Sequence, residues 1–285
     1  MAQTALASES FATVADRLWG IVLAGTGAQH RRWRFFLPSR RPDGVTPLRA
    51  VVDRAADLIP AHRLVAVLAR GRDHDARGLD HVQRVVQPAY RGSAAEVFLP
   101  LAMIARRDPS AIVVVLPADG VGQDEADFLA TVGRAAETVA ARPDVLLVIG
   151  VAPPCPRAPG WIEPGDVVAG LGAFGVRSVR RFVRRPSFAE ISLLQKNGGL
   201  VNTGVVVAQA EALLALGRRR LPDVLETLEP LETAFGRPEE HLLREAIYEG
   251  MPYADVSHAL FAADEPFGVL PVPRTRARVR PVASA

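Results

Sequence analysis

The sequence is poor in the residues that build disulfides and metal sites. Only one of its 285 residues is a cysteine, Cys155, which excludes an internal disulfide and a cysteine-based zinc site. Its six histidines show neither an HExxH pattern nor another paired-ligand spacing, so we expect no structural metal. Lysine is also nearly absent, because Lys196 is the only one, and arginine carries the rest of the fixed positive charge.

Long hydrophobic runs are missing as well. No stretch is long and apolar enough to span a bilayer, which argues against an integral membrane protein and a membrane partner. The N-terminal segment lacks a basic stretch followed by a continuous apolar one, so it makes a poor signal peptide. We therefore expect a cytoplasmic protein. The formal net charge of +3 fits an anionic small ligand but is equally ordinary for a soluble protein.

Apolar residues, in contrast, make up 49% of the chain, which is ample for a large core. Up to Pro153, short apolar runs alternate with amphipathic stretches. This alternation predicts parallel βαβ units in which helices cover both faces of a sheet. The expected strands are Gly20–Ala24, Leu64–Ala69, Val82–Val86, Ala111–Leu116 and Val145–Val151, and the expected helices lie near Leu48–Leu58, Ala94–Arg106 and Glu125–Ala141.

After Pro153 the composition changes to loops rich in proline and glycine. Here we expect an antiparallel addition to the sheet, three helices and a last apolar run. The whole is expected to form one mixed-sheet domain over residues 19–273, with a helical lead-in over 1–18 and a basic flexible tail over 274–285. The antiparallel segments are expected at Gly172–Val176 and Val179–Val183, the helices near Phe188–Lys196, Ala210–Arg219 and Glu239–Glu249, and the apolar run at Phe267–Val272.

The first expected strand ends in a glycine-rich turn, Gly25-Thr26-Gly27. Glycines at this place let the backbone approach a phosphate closely and turn its N–H groups toward it. The pattern is neither a Walker loop nor a full dinucleotide fingerprint, since no GK[ST] follows and the third glycine is missing. These residues alone leave a phosphate loop and an ordinary tight turn open as alternatives.

Seven blocks of sequence fall in a fixed order between residues 19 and 272. They are WGIVLAGTG (19–27), VVDRAADLIP (51–60), the long stretch VVQPAYRGSAAEVFLPLAMIARRDPSAIVVVLPADG (85–120), GWIEPG (160–165), FVRRP (182–186), VNTGVVV (201–207) and FGVLPV (267–272). The ordered set resembles the mannose-1-phosphate guanylyltransferase and sugar-1-phosphate nucleotidyltransferase family. The resemblance implies the nucleotide-diphospho-sugar transferase fold, a Rossmann-like doubly wound sheet that is mixed but mainly parallel.

The family reaction joins a nucleoside triphosphate to a sugar 1-phosphate with release of pyrophosphate. The resemblance therefore implies GTP and mannose 1-phosphate as substrates and Mg²⁺ as cofactor. It implies that Asp119 is catalytic and binds the metal, and that Arg185, in place of a family lysine, is catalytic. The implied nucleotide-binding residues are Gly25, Thr26, Gly27, Gln87, Arg91, Gly92 and Ser93, and the implied sugar-binding residues are Gly160, Glu163, Asn202 and Thr203. Without the resemblance, these residues would be interpreted as turns, with Ser93 as a helix N-cap.

Four departures from the family pattern support an alternative. The first loop has Thr26 for a family glycine, the lysine of the family PKQ motif is absent, Arg184 replaces a glutamate, and no acidic residue follows Glu265 where a second metal aspartate is expected. The alternative is a catalytically impaired member that binds nucleotide or sugar as a regulatory partner. A homo-oligomer or a paralogous subunit stays open. Nucleic-acid binding is not expected, because the basic run RTRARVR lacks interleaved aromatic residues.

Overall fold

The structure is a computed structural model that describes residues 14–24, 45–118, 125–153, 160–261 and 266–273. These residues form a nine-stranded sheet with helices on both faces. The strands are β1 (Leu18–Leu23), β2 (Leu64–Ala69), β3 (Gln83–Gln87), β4 (Ile112–Pro117), β5 (Leu146–Val151), β6 (Gly160–Val167), β7 (Arg177–Arg184), β8 (Leu200–Gln209) and β9 (Phe267–Pro271). The α-helices are α1 (Pro47–Ala55), α2 (Ser93–Arg107), α3 (Glu125–Ala141), α4 (Phe188–Lys196), α5 (Ala210–Arg220), α6 (Pro222–Glu232), α7 (Glu240–Gly250) and α8 (Val256–Ala259), and short 3₁₀ helices occur at Ala61–Arg63, Asp73–Ala76 and Gly172–Phe174.

The first half of the sheet is parallel and has the strand order β3-β2-β1-β4. Its central strands are short runs of buried aliphatic residues, as expected for strands that helices cover on both faces. Helices α1 and α3 pack on one face, and α2, α5 and α6 pack on the other. The chain leaves β1 toward β2 and later returns to its other side as β4. This topological switch point places a crevice outside the carboxyl ends of β1 and β4.

The second half of the sheet contains antiparallel strands. Strand β8 runs antiparallel to both β4 and β5, β9 is parallel to β5, and β7 is antiparallel to β9. Strand β6 pairs with both β7 and β8, so β8, β5, β9, β7 and β6 close a five-stranded ring. The predicted α/β class and mixed sheet are confirmed. The described sheet is not mainly parallel, however, because five of its nine strand pairings are antiparallel. An open doubly wound sheet does not describe this half, because the ring closes it.

Helix α2 positions the candidate site and is buried from Ser93 to Ala105. It approaches α5 closely, since a Cβ atom at Gly217 would lie 2.4 Å from the ring of Phe98. A helix that is apolar all round belongs in a protein core or a membrane. With 15 residues α2 is a core helix, and no helix in the described ranges is long and apolar enough to cross a membrane.

Most predicted elements of the chain agree with the structure within a few residues, and α3 has the predicted bounds. The prediction of a strand at Gly172–Val176 is wrong. Residues Gly172–Phe174 form a 3₁₀ helix that ends at Gly175, whose φ of 77° is left-handed and suits glycine. The interpretation of GWIEPG as a turn is also wrong, because these residues begin β6. Helix α6 was not predicted.

Candidate functional site

A cavity of about 70 Å³ opens at the carboxyl ends of β1 and β4, at the switch point of the sheet. Leu23 and Pro117 end these two strands and line it. Its other described walls are mainly apolar, and hydroxyl groups come from Ser93, Thr203 and Ser257. Ligand sites in α/β sheets lie in such crevices. The cavity is therefore the candidate functional site, and it brings the predicted nucleotide residue Ser93 together with the predicted sugar residue Thr203.

The described residues just before Gly25 and just before Asp119 lie beside each other next to this cavity. The backbone N–H of Ala118 donates to the carbonyl of Leu23 at 3.0 Å, and the N–H of Ala24 donates to the carbonyl of Val67 at 2.9 Å. Strand order thus fixes these two segments beside each other. Four predicted site residues lie outside the described residues, namely Gly25, Thr26, Gly27 and Asp119. Their roles stay predictions.

The segment from Gln87 to Ser93 links β3 to α2, and its side chains contact the end of α7. Gln87 Nε2 donates to the hydroxyl of Tyr248 at 3.0 Å. Arg91 Nε donates to the carbonyl of Tyr248 at 2.6 Å, and its Nη2 donates to the carbonyl of Glu249 at 2.8 Å. Because the last carbonyls of a helix lack partners within the helix, Arg91 satisfies two groups that would otherwise need water.

Further hydrogen bonds join the start of α2 to the start of α8 and the residues just before it. Ser93 Oγ accepts a hydrogen bond from the N–H of Val256 at 2.9 Å, and the N–H of Ala94 donates to the carbonyl of Ala254 at 3.1 Å. Gly92 has a φ of 86°, and a Cβ atom there would lie 2.1 Å from the carbonyl oxygen of Ala254. The interpretation of Ser93 as the N-cap is wrong, because Gly92 is the cap and Ser93 holds Val256 instead.

The structure therefore brings Gln87, Arg91, Gly92 and Ser93 together. The side chains of Gln87, Arg91 and Ser93 all form hydrogen bonds to other groups of the protein. Gln87 is 1% exposed, and its Oε1 has no hydrogen-bond partner among the described residues. Burial raises the pKa of its partner Tyr248 to about 12, while the hydrogen bond from Gln87 acts in the opposite direction. A base-reading role for these residues stays a prediction.

The predicted sugar residues Asn202 and Thr203 lie in a bulge of β8. Thr203 Oγ1 donates to the carbonyl of Ile149 at 2.8 Å and accepts from the N–H of Val205 at 3.2 Å. Asn202 Oδ1 accepts from the N–H of Gly204 at 2.9 Å, and Gly204 has a φ of 76°. The pairing with β5 shifts register here, and the bulge presents Thr203 and Gly204 to the cavity.

The other predicted sugar residues lie on β6. Glu163 is largely buried and accepts a hydrogen bond from Arg181 Nε at 2.7 Å, with Arg180 Nη1 at 3.5 Å from its other oxygen. Gly160 begins the strand and pairs with Arg184 of β7. The carboxylate of Glu163 is thus engaged by arginine side chains, a partner that the motif GWIEPG does not indicate.

Arg185 follows β7 and is exposed. Its φ of 45° is the one positive value at a non-glycine residue in the described part of the chain. Left-handed backbone at a non-glycine residue is strained and occurs often at functional sites. Two residues later, Ser187 and Glu190 form a capping box that starts α4. The catalytic role of Arg185 stays a prediction.

The sequence predicts no site role for the segment from Tyr248 to Val256, although it predicts the helix that ends there. This segment contributes Tyr253, whose ring packs edge-on against Tyr90 with centroids 5.8 Å apart and planes at 72°. It also contributes Tyr248 and Ala254, which contact Gln87 and Gly92. These contacts join parts of the chain about 160 residues apart, and no spacing motif marks them.

The described residues do not by themselves form a metal site. They contain no group of three or more His, Cys, Asp or Glu side chains placed to hold an ion. The described lining of the cavity has no carboxylate either. Mg²⁺ prefers oxygen ligands such as carboxylates. Asp119, the predicted Mg²⁺ ligand, lies outside the described residues, and its metal role stays a prediction.

In sequence, the chain is similar to known proteins over half of its length. No protein-family model matches the chain. Two xanthan biosynthesis XanB proteins, from two strains of Xanthomonas campestris pv. campestris, are each 29% identical over 143 residues, or 50% of this chain. The chain spans only 29% of the length of each XanB protein.

Two solved structures share the architecture. The mannose-1-phosphate geranyltransferase from Thermus thermophilus has a TM-score of 0.72 at 24% identity, covering 90% of this chain and 74% of that one. The mannose-6-phosphate isomerase from Helicobacter pylori has a TM-score of 0.69 at 17% identity, covering 91% and 98%. The predicted resemblance is thereby confirmed in the fold that the chain shares with these two proteins.

Proposed function

We propose that this chain is a nucleotidyltransferase that joins a nucleoside triphosphate to a sugar 1-phosphate and releases pyrophosphate, in nucleotide-sugar biosynthesis. The observation that carries the proposal is the cavity at the switch point. There, Ser93 from the segment assigned to the nucleotide and Thr203 from the segment assigned to the sugar line one space. GTP and mannose 1-phosphate are the first substrates to test. The similar Thermus protein, which is named for mannose 1-phosphate, supports this choice.

In this reaction an oxygen of the sugar phosphate attacks the α-phosphorus of the triphosphate. A new P–O bond forms, and the bond to the pyrophosphate oxygen breaks. The protein contributes mainly by positioning the two phosphates and by stabilising negative charge. Arg185 would supply such charge, and Gly25 to Gly27 would supply backbone N–H groups. Bound Mg²⁺ would neutralise phosphate charge, and Asp119 is the residue proposed to hold it.

The second candidate is a catalytically impaired relative that binds nucleotide or sugar as a regulatory partner. The specific observation that favours it is the engagement of Glu163 by Arg181 at 2.7 Å. An ion-paired carboxylate is less available to accept from sugar hydroxyls. The absence of any acidic residue after Glu265 in the sequence points the same way. Binding without turnover would be the expected behaviour.

The experiment is a pyrophosphate-release assay with Mg²⁺, in which each nucleoside triphosphate is combined with each member of a panel of sugar 1-phosphates. The matched variants are Asp119→Ala and Asp80→Ala, the latter at a carboxylate whose side chain is 83% exposed. We expect release with one substrate pair, lost in Asp119→Ala and kept in Asp80→Ala. No release with any pair, together with nucleotide binding by calorimetry, would contradict the transferase and support the regulatory candidate.

A further inference from the structure

Two exposed aromatic rings lie next to each other beside the candidate site. Tyr90 is 36% exposed and Tyr253 is 59% exposed, although their rings pack edge to face. A second aromatic group, formed by Phe182, Phe261 and Phe267, differs because it packs within or against the core on the α2 side of the sheet. Exposed tyrosines that already contact each other present a rigid apolar surface to solvent at little cost in side-chain entropy.

Both tyrosines lie close in sequence to residues that line the cavity. Tyr90 lies three residues before Ser93, and Tyr253 lies three residues before Val256. Ser93 and Val256 both line the cavity and are joined by a hydrogen bond of 2.9 Å. Tyr90 also follows the carboxyl end of β3, which lies on the same edge of the parallel sheet as the carboxyl ends of β1 and β4. Ligands of open α/β sheets bind at this edge.

The residues beneath the pair hold it in place. Arg91 donates to the carbonyls of Tyr248 and Glu249, and the N–H of Ala254 donates back to the carbonyl of Arg91 at 3.2 Å. Arg244 and Arg70 form ion pairs with Glu240 and Glu245, which lie on α7. In this arrangement Gln87 is 1% exposed, so its amide lies behind the surface that a ligand would meet.

We propose that Tyr90 and Tyr253 form the stacking platform for the nucleobase, with Gln87 and Arg91 as positioning residues behind it. This inference rests on the nucleotide site of the proposed function and names its specificity. Stacking on an aromatic ring reads the face of a base and not its edge. Because purines have the larger face, the platform favours purine over pyrimidine triphosphates. It discriminates little between GTP and ATP.

The test is isothermal calorimetry of the full chain with GTP, ATP, UTP and CTP, without any sugar phosphate. The variants are Tyr253→Leu and Tyr90→Leu, which remove a ring, and Tyr253→Phe, which keeps one. Leu242→Ala is the surface control, since this side chain on α7 is 64% exposed. Base–aromatic stacking predicts a Kd for GTP at least about fivefold higher in both leucine variants. Tyr253→Phe and the control should keep the Kd of the parent.

A further variant tests positioning. Arg91→Lys loses the fork that bonds two carbonyls, and we expect it to raise the Kd for GTP and ATP together while hydrogen exchange quickens in residues 248–256. The proposal is overturned if folded leucine variants bind GTP as the parent does, or if UTP and CTP bind as tightly as GTP and ATP. Failure of the pyrophosphate assay with ring-dependent binding intact would overturn the transferase alone.

Discussion

Arg181 donates a hydrogen bond from Nε to Oε2 of Glu163 at 2.7 Å, across the neighbouring strands β7 and β6. The carboxylate side chain is 10% exposed, and Arg180 approaches its other oxygen at 3.5 Å. One largely buried negative charge is thus held between two arginines. This pair links the strand that resembles the family's sugar-binding hexamer to the arginine-rich strand that leads to Arg185.

Removing Arg181 should destabilise the protein more than removing Arg180. Arg181→Gln leaves a largely buried carboxylate without its close donor, and we expect a loss of about 1–2 kcal/mol in the free energy of unfolding, measured in urea. Arg180→Gln is the matched control, since its side chain is 62% exposed and its contact is longer. Its effect should stay below about 0.5 kcal/mol. Equal losses of unfolding free energy in the two variants would show that the close contact of Arg181 with Glu163 stabilises the protein no more than the longer contact of Arg180.

Strands β1, β2 and β4 of the parallel half could be predicted because they are buried on both faces and so form continuous apolar runs. Strand β6 escaped prediction for a physical reason. Pro164 and Gly165 normally indicate a turn, but here they occupy a strand whose pairing with β7 shifts register at Glu163 and Pro164. An antiparallel strand with irregular pairing, such as β6, need not form a continuous run of apolar residues.

The candidate site could be predicted only in those segments whose own sequence carries a recognisable motif. The motif around Arg91 and Gly92 indicated a functional loop, but the partners Tyr248 and Ala254 follow from tertiary packing that no local pattern encodes. The same holds for Arg181, because an arginine on a strand is ordinary until its neighbour is known. The sequence could therefore indicate which segments belong to the candidate site, but the contacts between those segments could be seen only in the folded structure.

Gly92→Ala should be strongly destabilising. The new Cβ atom would lie 2.1 Å from the carbonyl oxygen of Ala254, and the φ of 86° is unfavourable for alanine. Gly236→Ala is the control, since its φ is 79° but nothing lies within 4 Å of the new atom. We expect a loss of about 1 kcal/mol for the control and at least about 2 kcal/mol for Gly92→Ala, by urea unfolding. A loss at Gly92 no larger than that at Gly236 would contradict the close contact.

The bulge of β8 depends on the hydroxyl of Thr203. Thr203→Val keeps the shape of the side chain but removes the hydrogen bonds to Ile149 and Val205, and leaves these buried backbone groups short of partners. Thr138→Val is the matched control, because among the described residues this buried helical hydroxyl bonds the carbonyl of Arg134 alone. We expect the free energy of unfolding to fall by about 2 kcal/mol in Thr203→Val and by less than about 1 kcal/mol in Thr138→Val, measured by thermal or urea unfolding. A larger effect at Thr138 would refute the role of the bulge hydroxyl.

Stability at high pH should report on Tyr248. Burial raises its pKa in the folded protein from 10.0 to about 12, with Glu96 adding to the rise and Gln87 and Arg244 opposing it. The neutral phenol is therefore favoured by folding, and its contribution is complete below about pH 10 and is lost as the pH rises toward 12. The loss is of order 2 kcal/mol. Tyr248→Phe should be less stable than the parent at pH 8, because Gln87 loses its partner, yet should lose less stability between pH 10 and pH 12.

Urea unfolding at intervals from pH 8 to pH 12 measures both effects in one series. Tyr90 also has a raised pKa, through burial and its contact with Tyr253, and it adds the same slope to both proteins. The difference between parent and Tyr248→Phe therefore isolates the buried phenol. Converging curves above pH 10 are the expected result. Curves that stay parallel would mean that Tyr248 reaches solvent in the folded protein and that its hydrogen bond with Gln87 is not kept in solution.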